Sequence, residues 1–184
     1  MERYVNLPLT RESTAELRIG DTVYLSGVIY TARDAAHKRL VELLGAENFP
    51  FPLEGATLYY VGPTPAAPGQ VIGSAGPTTS YRMDAYAPAL IEQGLMGMIG
   101  KGARDFAVRA AMAETGAIYF GAIGGAGALL SGCVVQCEVI AFEDLGPEAV
   151  HRLEVRDFPV TVLLDAHGGD LYEEGRKAYL ESVE

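Results

Sequence analysis

The chain is poor in thiols and imidazoles and comparatively poor in basic residues. Its 184 residues include two cysteines, Cys133 and Cys137, and three histidines. With no histidine or further cysteine beside them, the two thiols make neither a disulfide-rich scaffold nor a four-ligand zinc site, and they cannot hold an iron-sulfur cluster unaided. Basic residues are outnumbered, 14 Lys plus Arg against 24 Asp plus Glu, for a net charge of −10. No run of Lys or Arg forms a stripe that could track a phosphate backbone, which argues against a nucleic-acid partner. No apolar run reaches the roughly 20 residues of a membrane span. The opening MERYVNLPLTRESTAELRIGD carries charge throughout and lacks the apolar core of a signal peptide. A cytoplasmic protein with no membrane partner is expected.

What is present supports a sizeable core: 49% of residues are apolar and 21% charged, outside the range of disordered chains. At roughly 100 to 200 residues per domain, one domain over residues 1–184 is predicted. Residues up to Gly20 read as an irregular segment that wraps a surface. DTVYLSGVIY, from Asp21 to Tyr30, reads as an internal strand. Thr31 is the predicted N-cap of a helix through ARDAAHKRLVELL that stops at Gly45. A Pro- and Gly-rich stretch follows, with ATLYYVG and QVIGSAG as strand-like pieces. A second helix is predicted from Thr78 or Thr79 to Gly94, interrupted or kinked at Pro88. LMGMIG reads as a buried strand, ARDFAVRAAMAET as a third helix, and AIYFGAIG and CVVQCEVIAF as strands. A helical start is expected in GGAGALLSG, and a final strand pair, or a strand with its lead-in, in LEVRDFPVTVLLDAHGGDLY. Strands alternating with helices predict an α/β class with a mixed sheet and flanking helices.

Three corners carry candidate chemistry. Arg33, His37, Leu40 and Leu44 share one helical stripe, which predicts that Arg33 and His37 point into a cleft at a strand end, where α/β sheets bind ligands. The alternative is an arginine paired with a local carboxylate such as Asp34 and a histidine satisfied by a carbonyl. In the second corner, Gly76-Pro77-Thr78-Thr79-Ser80-Tyr81-Arg82, hydroxyls and amides at a helix N-terminus would face an anion together with Arg82; an ordinary capped helix with a surface arginine is the other reading. Third, Lys101 lies between Gly100 and Gly102 after an apolar run, without the spacing of a nucleotide-binding loop. Gly121, Gly124, Gly125 and Gly127 likewise fail the dinucleotide pattern and read as a close-packed turn. Cys133 and Cys137, four apart, are expected on one strand face as buried small residues. Three local cations in an acidic chain, Arg33, Arg82 and Lys101, suggest a small dicarboxylate ligand.

TARDAAHKRL, GPTTSYRMD and IGKG, with the later GGAGALL and EVRDFPVTVLLDAHG, resemble the β subunit of two-subunit class I fumarate hydratases, which is homologous to the C-terminal domain of the single-chain enzymes. The likeness runs from about Leu17 to Tyr172. It implies a swivelling β/β/α domain and a hydro-lyase that reversibly hydrates fumarate to L-malate. It further implies a 4Fe-4S cluster ligated by a partner α subunit, with this chain as the other wall of the site. By motif position, Arg33, Arg82 and Lys101 would bind substrate carboxylates, and Thr78 and His37 would be the proton-transfer residues; adjacency alone suggests Asp34 as the residue that orients His37 or Arg33. A hetero-oligomer is implied, with a homo-oligomer as the form of the chain alone. The L(+)-tartrate dehydratase β subunit shares both long motifs and is the nearest alternative. A non-catalytic dicarboxylate-binding domain and a purely structural scaffold are the alternatives from other classes.

Overall fold

A computed structural model describes residues 1–122 and 127–183. Strand β1 (Glu2–Asn6) and helix α1 (Arg11–Ala15) precede β2 (Thr22–Thr31) and α2 (Asp34–Glu42). After β3 (Thr57–Tyr59) a single 3-10 turn, Ser80–Met83, leads to α3 (Ala87–Glu92), β4 (Gly97–Gly100), α4 (Phe106–Thr115) and β5 (Ile118–Gly121). Helix α5 (Gly127–Ser131), β6 (Val134–Ala141), the 3-10 stretch Glu143–Glu148, β7 (Val150–Leu164) and α6 (Leu171–Val183) complete the described order.

Strands β2, β3, β4 and β5 run parallel side by side, and β7 lies antiparallel to both β5 and β2. That double pairing closes a five-stranded, barrel-like sheet, with β1 added beside β2 and β6 beside β7. Side chains alternate across it as the strand period requires. Leu25, Ile29, Tyr59, Ile99, Phe120, Phe158 and Val160 form the inner cluster, whereas Leu58, Tyr60, Met98 and Tyr119 form an outer one with Leu40 of α2, Leu90 of α3 and Met112 of α4. Apolar residues on both faces explain why LMGMIG reads as a continuous hydrophobic run and not as an alternating one. The expected mixed sheet with flanking helices is present.

Several expectations need correction. Residues 1–20 are not irregular: β1 pairs parallel with Thr22–Ser26 of β2, and a reciprocal Thr10–Ser13 cap opens α1. Their signal is weak because β1 is alternately exposed and α1 is only five residues long. Thr31 is the last residue of β2 and no N-cap; its Oγ1 accepts the His151 amide at 3.0 Å, and Arg33 occupies the cap position. The predicted second helix is two pieces, a 3-10 turn and then α3, and Pro88 lies in the first turn of α3, where its missing N–H costs nothing. QVIGSAG forms no strand. Of the two readings of the final segment, the single strand is the one present, β7, in which Arg156 and Asp157 (φ 48°) together face Ser26 of β2 as a bulge. Helix α6, largely polar and exposed, goes unanticipated. Of the glycine-rich run, Gly124 and Gly125 lie outside the described residues, and its described part is helical over Gly127–Ser131.

Candidate active site

The parallel strands deliver the three predicted corners to one edge of the sheet. Strands β2 and β4 both flank β3, so their C-terminal ends stand two strand spacings apart, about 10 Å. Arg33 follows β2, Lys101 follows β4, and the crossover from β3 returns between them: Thr78 N–H donates to Tyr60 O at 2.7 Å, and Ser80 N–H donates to Lys101 O at 2.9 Å. The backbone of Lys101 donates in turn to Ser80 Oγ at 3.1 Å. Gly100 allows this stitch, because a Cβ there would fall on the Ser80 hydroxyl. Thr78 is thereby tied to the end of β3 and Ser80 to Lys101, with Arg82 two residues further along the 3-10 turn that Ser80 begins.

The cations differ in their surroundings. Arg82 and Lys101 are exposed and have no hydrogen-bond or ion-pair partner for their side chains among the described residues. Arg33 is half-buried, with Nε 3.0 Å from Glu148 Oε1 and 3.8 Å from Asp34 Oδ1. No well-aligned hydrogen bond accompanies the shorter contact, so it is an ion pair without directional support. Gly62 lets the arginine lie close, since a Cβ there would sit 3.2 Å from Arg33 Cδ. The alternative weighed from the sequence is thus partly realised: Arg33 does pair with acidic side chains, the nearer of them on a distant loop.

His37 is also placed as that alternative has it. It is 0% exposed, with Nδ1 2.9 Å from the Arg33 carbonyl and its ring edge-on to Tyr60 at 5.2 Å. A carbonyl only accepts, so Nδ1 carries the proton and Nε2 is left as a buried lone pair with no hydrogen-bond partner among the described residues. Burial pushes its pKa down to about 4, with the Arg104 charge adding to the effect and the Arg33 carbonyl and Asp34 opposing it. The ring is neutral at physiological pH.

Beneath the corners lies a layer that the sequence reading did not single out. Arg104 is buried, its guanidinium 5.2 Å from the Tyr60 ring centroid and 4.9 Å from that of Tyr119. Its Nε donates to Asp84 Oδ1 at 2.7 Å and its Nη2 to the Tyr60 hydroxyl at 3.3 Å. Tyr119 donates to the Gly102 carbonyl at 2.9 Å, and its hydroxyl lies 2.8 Å from Ser80 Oγ. The available signal was Asp84 at the end of GPTTSYRMD and an arginine just after Lys101-Gly102, a pairing that only the fold reveals.

A depression of about 220 Å³ opens beside Lys101, lined by Gly100, Thr161, Leu163 and Tyr172. A larger one of about 390 Å³, with Pro63, Ile72, Cys137 and His151 in its wall, has no arginine or lysine lining it. Among the described residues no three His, Cys, Asp or Glu side chains converge as metal ligands. Cys133 and Cys137 both pack against the inner core as free, half-buried thiols, and burial raises their pKa, which disfavours the thiolate a metal needs. The described residues do not fit a cluster site.

This cationic strand-end site lies within a matched region: residues 2–175 fit the model of the fumarase C-terminus, and the chain belongs to that family. It is 38% identical, over 95% of its length and 93% of the relative's, to a putative L(+)-tartrate dehydratase subunit beta of Methanocaldococcus jannaschii. It is 35% identical to a putative fumarate hydratase class I of Geobacillus stearothermophilus and 36% identical to the aerobic class I fumarate hydratase of Escherichia coli, covering 96% and 92% of this chain. The chain spans about a third of the length of those two fumarate hydratases, 34% and 32%.

Proposed function

We propose that the protein is the β subunit of a hydro-lyase that interconverts L-malate and fumarate, complete only with an α subunit. The observation that carries this reading is the stitched placement of two unpaired cations, Arg82 and Lys101, beside Thr78 at the C-terminal edge of parallel strands. Two cations on one rim suit the two carboxylates of a small dianion, with Arg33 as a third, partly neutralised anchor.

Dehydration of malate removes a proton from C3 and hydroxide from C2; the C–H electron pair becomes the double bond and the two fragments leave as water. Charge building at C3 spreads into the adjoining carboxylate, and an arginine or lysine already bound there stabilises it without reorganisation. Thr78 is the group at the carbon-bound proton. A neutral hydroxyl is a poor base, and the long helix expected to help it is a single 3-10 turn, so the support comes from Arg82 and Lys101 and not from a macrodipole. His37, neutral and beneath Tyr60, holds the Arg33 carbonyl and is a positioning residue in this scheme, although its position in TARDAAHKRL first marks it as a proton carrier. Asp34, 3.8 Å from Arg33, orients that arginine.

A 4Fe-4S cluster belongs to this reading as a group held by the α subunit, because this chain supplies no ligand set. Residues 1–184 act as one swivelling domain that closes the cationic rim over the substrate, in a cytoplasmic hetero-oligomer. No described helix is long and apolar enough to cross a membrane. Tartrate is the rival substrate, favoured by the nearly complete overlap with a relative named tartrate dehydratase subunit beta. The test is anaerobic reconstitution with an α subunit and assay on both: turnover of malate and fumarate supports the proposal, and preference for tartrate overturns the substrate.

A further inference from the structure

We propose that the buried Arg104–Asp84 pair is the spacer that fixes the distance between Arg82 and Lys101, and so sets which dicarboxylates the site accepts. This rests on the hydro-lyase reading above.

Asp84 closes the 3-10 turn that carries Arg82, and Arg104 stands three residues after Lys101. The carboxylate is shared between the two segments: Oδ1 accepts from Arg104 Nε at 2.7 Å and Oδ2 from the Asp105 amide at 2.7 Å. At the other end of the same segments, Ser80 and Lys101 exchange the two contacts already described. Residues 80–84 and 101–105 are therefore fastened at both ends, with a binding cation between the fastenings on one segment and at the end of the other. The guanidinium carbon lies over the rings of both Tyr60 and Tyr119, and Nη1 reaches Met98 Sδ at 3.4 Å, so the group is packed on several sides and little able to follow a shifted partner.

Stability does not account for such an arrangement. A buried ion pair is frequently replaceable by apolar residues without loss, and this one has side chains 0% and 7% exposed, out of reach of any substrate. What a rigid guanidinium with Nε on a fixed carboxylate and Nη2 on the Tyr60 hydroxyl supplies is direction and distance. Lysine at position 104 would keep the charge and lose this set of fixed donors.

The experiment compares wild type, Arg104→Lys and Asp84→Asn, each as the reconstituted αβ complex. Inhibition constants are measured for maleate (cis), succinate (flexible) and glutarate (longer), against KM and kcat for fumarate. The expected result is a rise in KM for fumarate of about tenfold, a smaller change in kcat, and a fall of at least fivefold in the preference for fumarate over maleate. A pair that only supports the fold would lower the yield of active complex and leave these ratios untouched. Wild-type ratios in folded Arg104→Lys overturn the inference while leaving the hydro-lyase reading in place. Should that variant not fold, Asp84→Asn, nearly isosteric, decides by the same ratios. A wild-type complex that neither turns over nor binds any of these acids overturns the reading and the inference together.

Discussion

Glu148, the last residue of the 3-10 stretch Glu143–Glu148, holds Arg33 by an ion pair of 3.0 Å. An internal carboxylate sits where a substrate carboxylate would be drawn, and it offsets one of three cations. Glu148→Gln should therefore tighten dicarboxylate binding. The pair is about one-quarter to one-third exposed, so the gain is of the order of 0.2–1 kcal/mol, a few-fold in Kd. Calorimetric titration of the complex at low and high salt measures it; weaker binding would mean that Glu148 aims Arg33 and does not compete for it.

Thr78 makes its recorded hydrogen bond through the backbone, to Tyr60 O. Removing its hydroxyl should leave the fold intact and slow the chemistry. Thr78→Ala is expected to lose roughly 10²- to 10⁴-fold in kcat, the usual worth of a proton-transfer group, with Thr78→Ser recovering much of it. Full turnover by Thr78→Ala would take this residue out of the reaction.

The buried, neutral His37 makes stability depend on acid. Its folded pKa, about 4, lies below its ordinary 6.5, so between those values the unfolded chain binds a proton that the folded chain refuses. Stability from this group is complete above pH 6.5 and is lost as the pH falls towards 4, by at most about 3 kcal/mol. Urea unfolding at pH 7, 5.5 and 4.5 should show the decline, and His37→Gln should show a shallower one. Equal slopes for the two proteins would refute the neutral burial.

Gly100 admits Ser80 where a side chain would not fit. Gly100→Ala should displace the Ser80 hydroxyl from the Lys101 amide and destabilise the protein by about 1–3 kcal/mol, as overpacking does. The distinctive result is a raised KM for dicarboxylates in the fraction that folds, since the stitch carrying Lys101 is broken. A normal KM would show that the stitch is dispensable.

How much of this was legible follows burial and distance along the chain. Strands β2, β4 and β5 and helices α2 and α4 announce themselves because apolar runs end at turns or caps, such as Asp105 before α4. The three cationic corners were legible because each sits at such a boundary. Strand β1 and helix α6 were not, for their residues are largely exposed and give little hydrophobic period. The spacing put Arg33 and His37 on one helical stripe, but Arg33 is the extended N-cap of α2 and only His37 lies in the helix, covered by Tyr60 and Tyr86. Glu148 and the Arg104–Asp84 pair are contacts between segments far apart in sequence, and no local pattern encodes them.

The strand that closes the sheet comes late in the chain. Arg33, Thr78, Arg82 and Lys101 all lie between residues 31 and 105, yet β2 meets its antiparallel neighbour only at Val150–Leu164. Contacts so distant along the chain form slowly, because loop closure precedes any gain from pairing. During synthesis the chemistry-bearing residues thus emerge onto a sheet whose seam is still open, with the apolar row of β2 unsealed. The sheet is thus closed late, by a strand that carries none of the four.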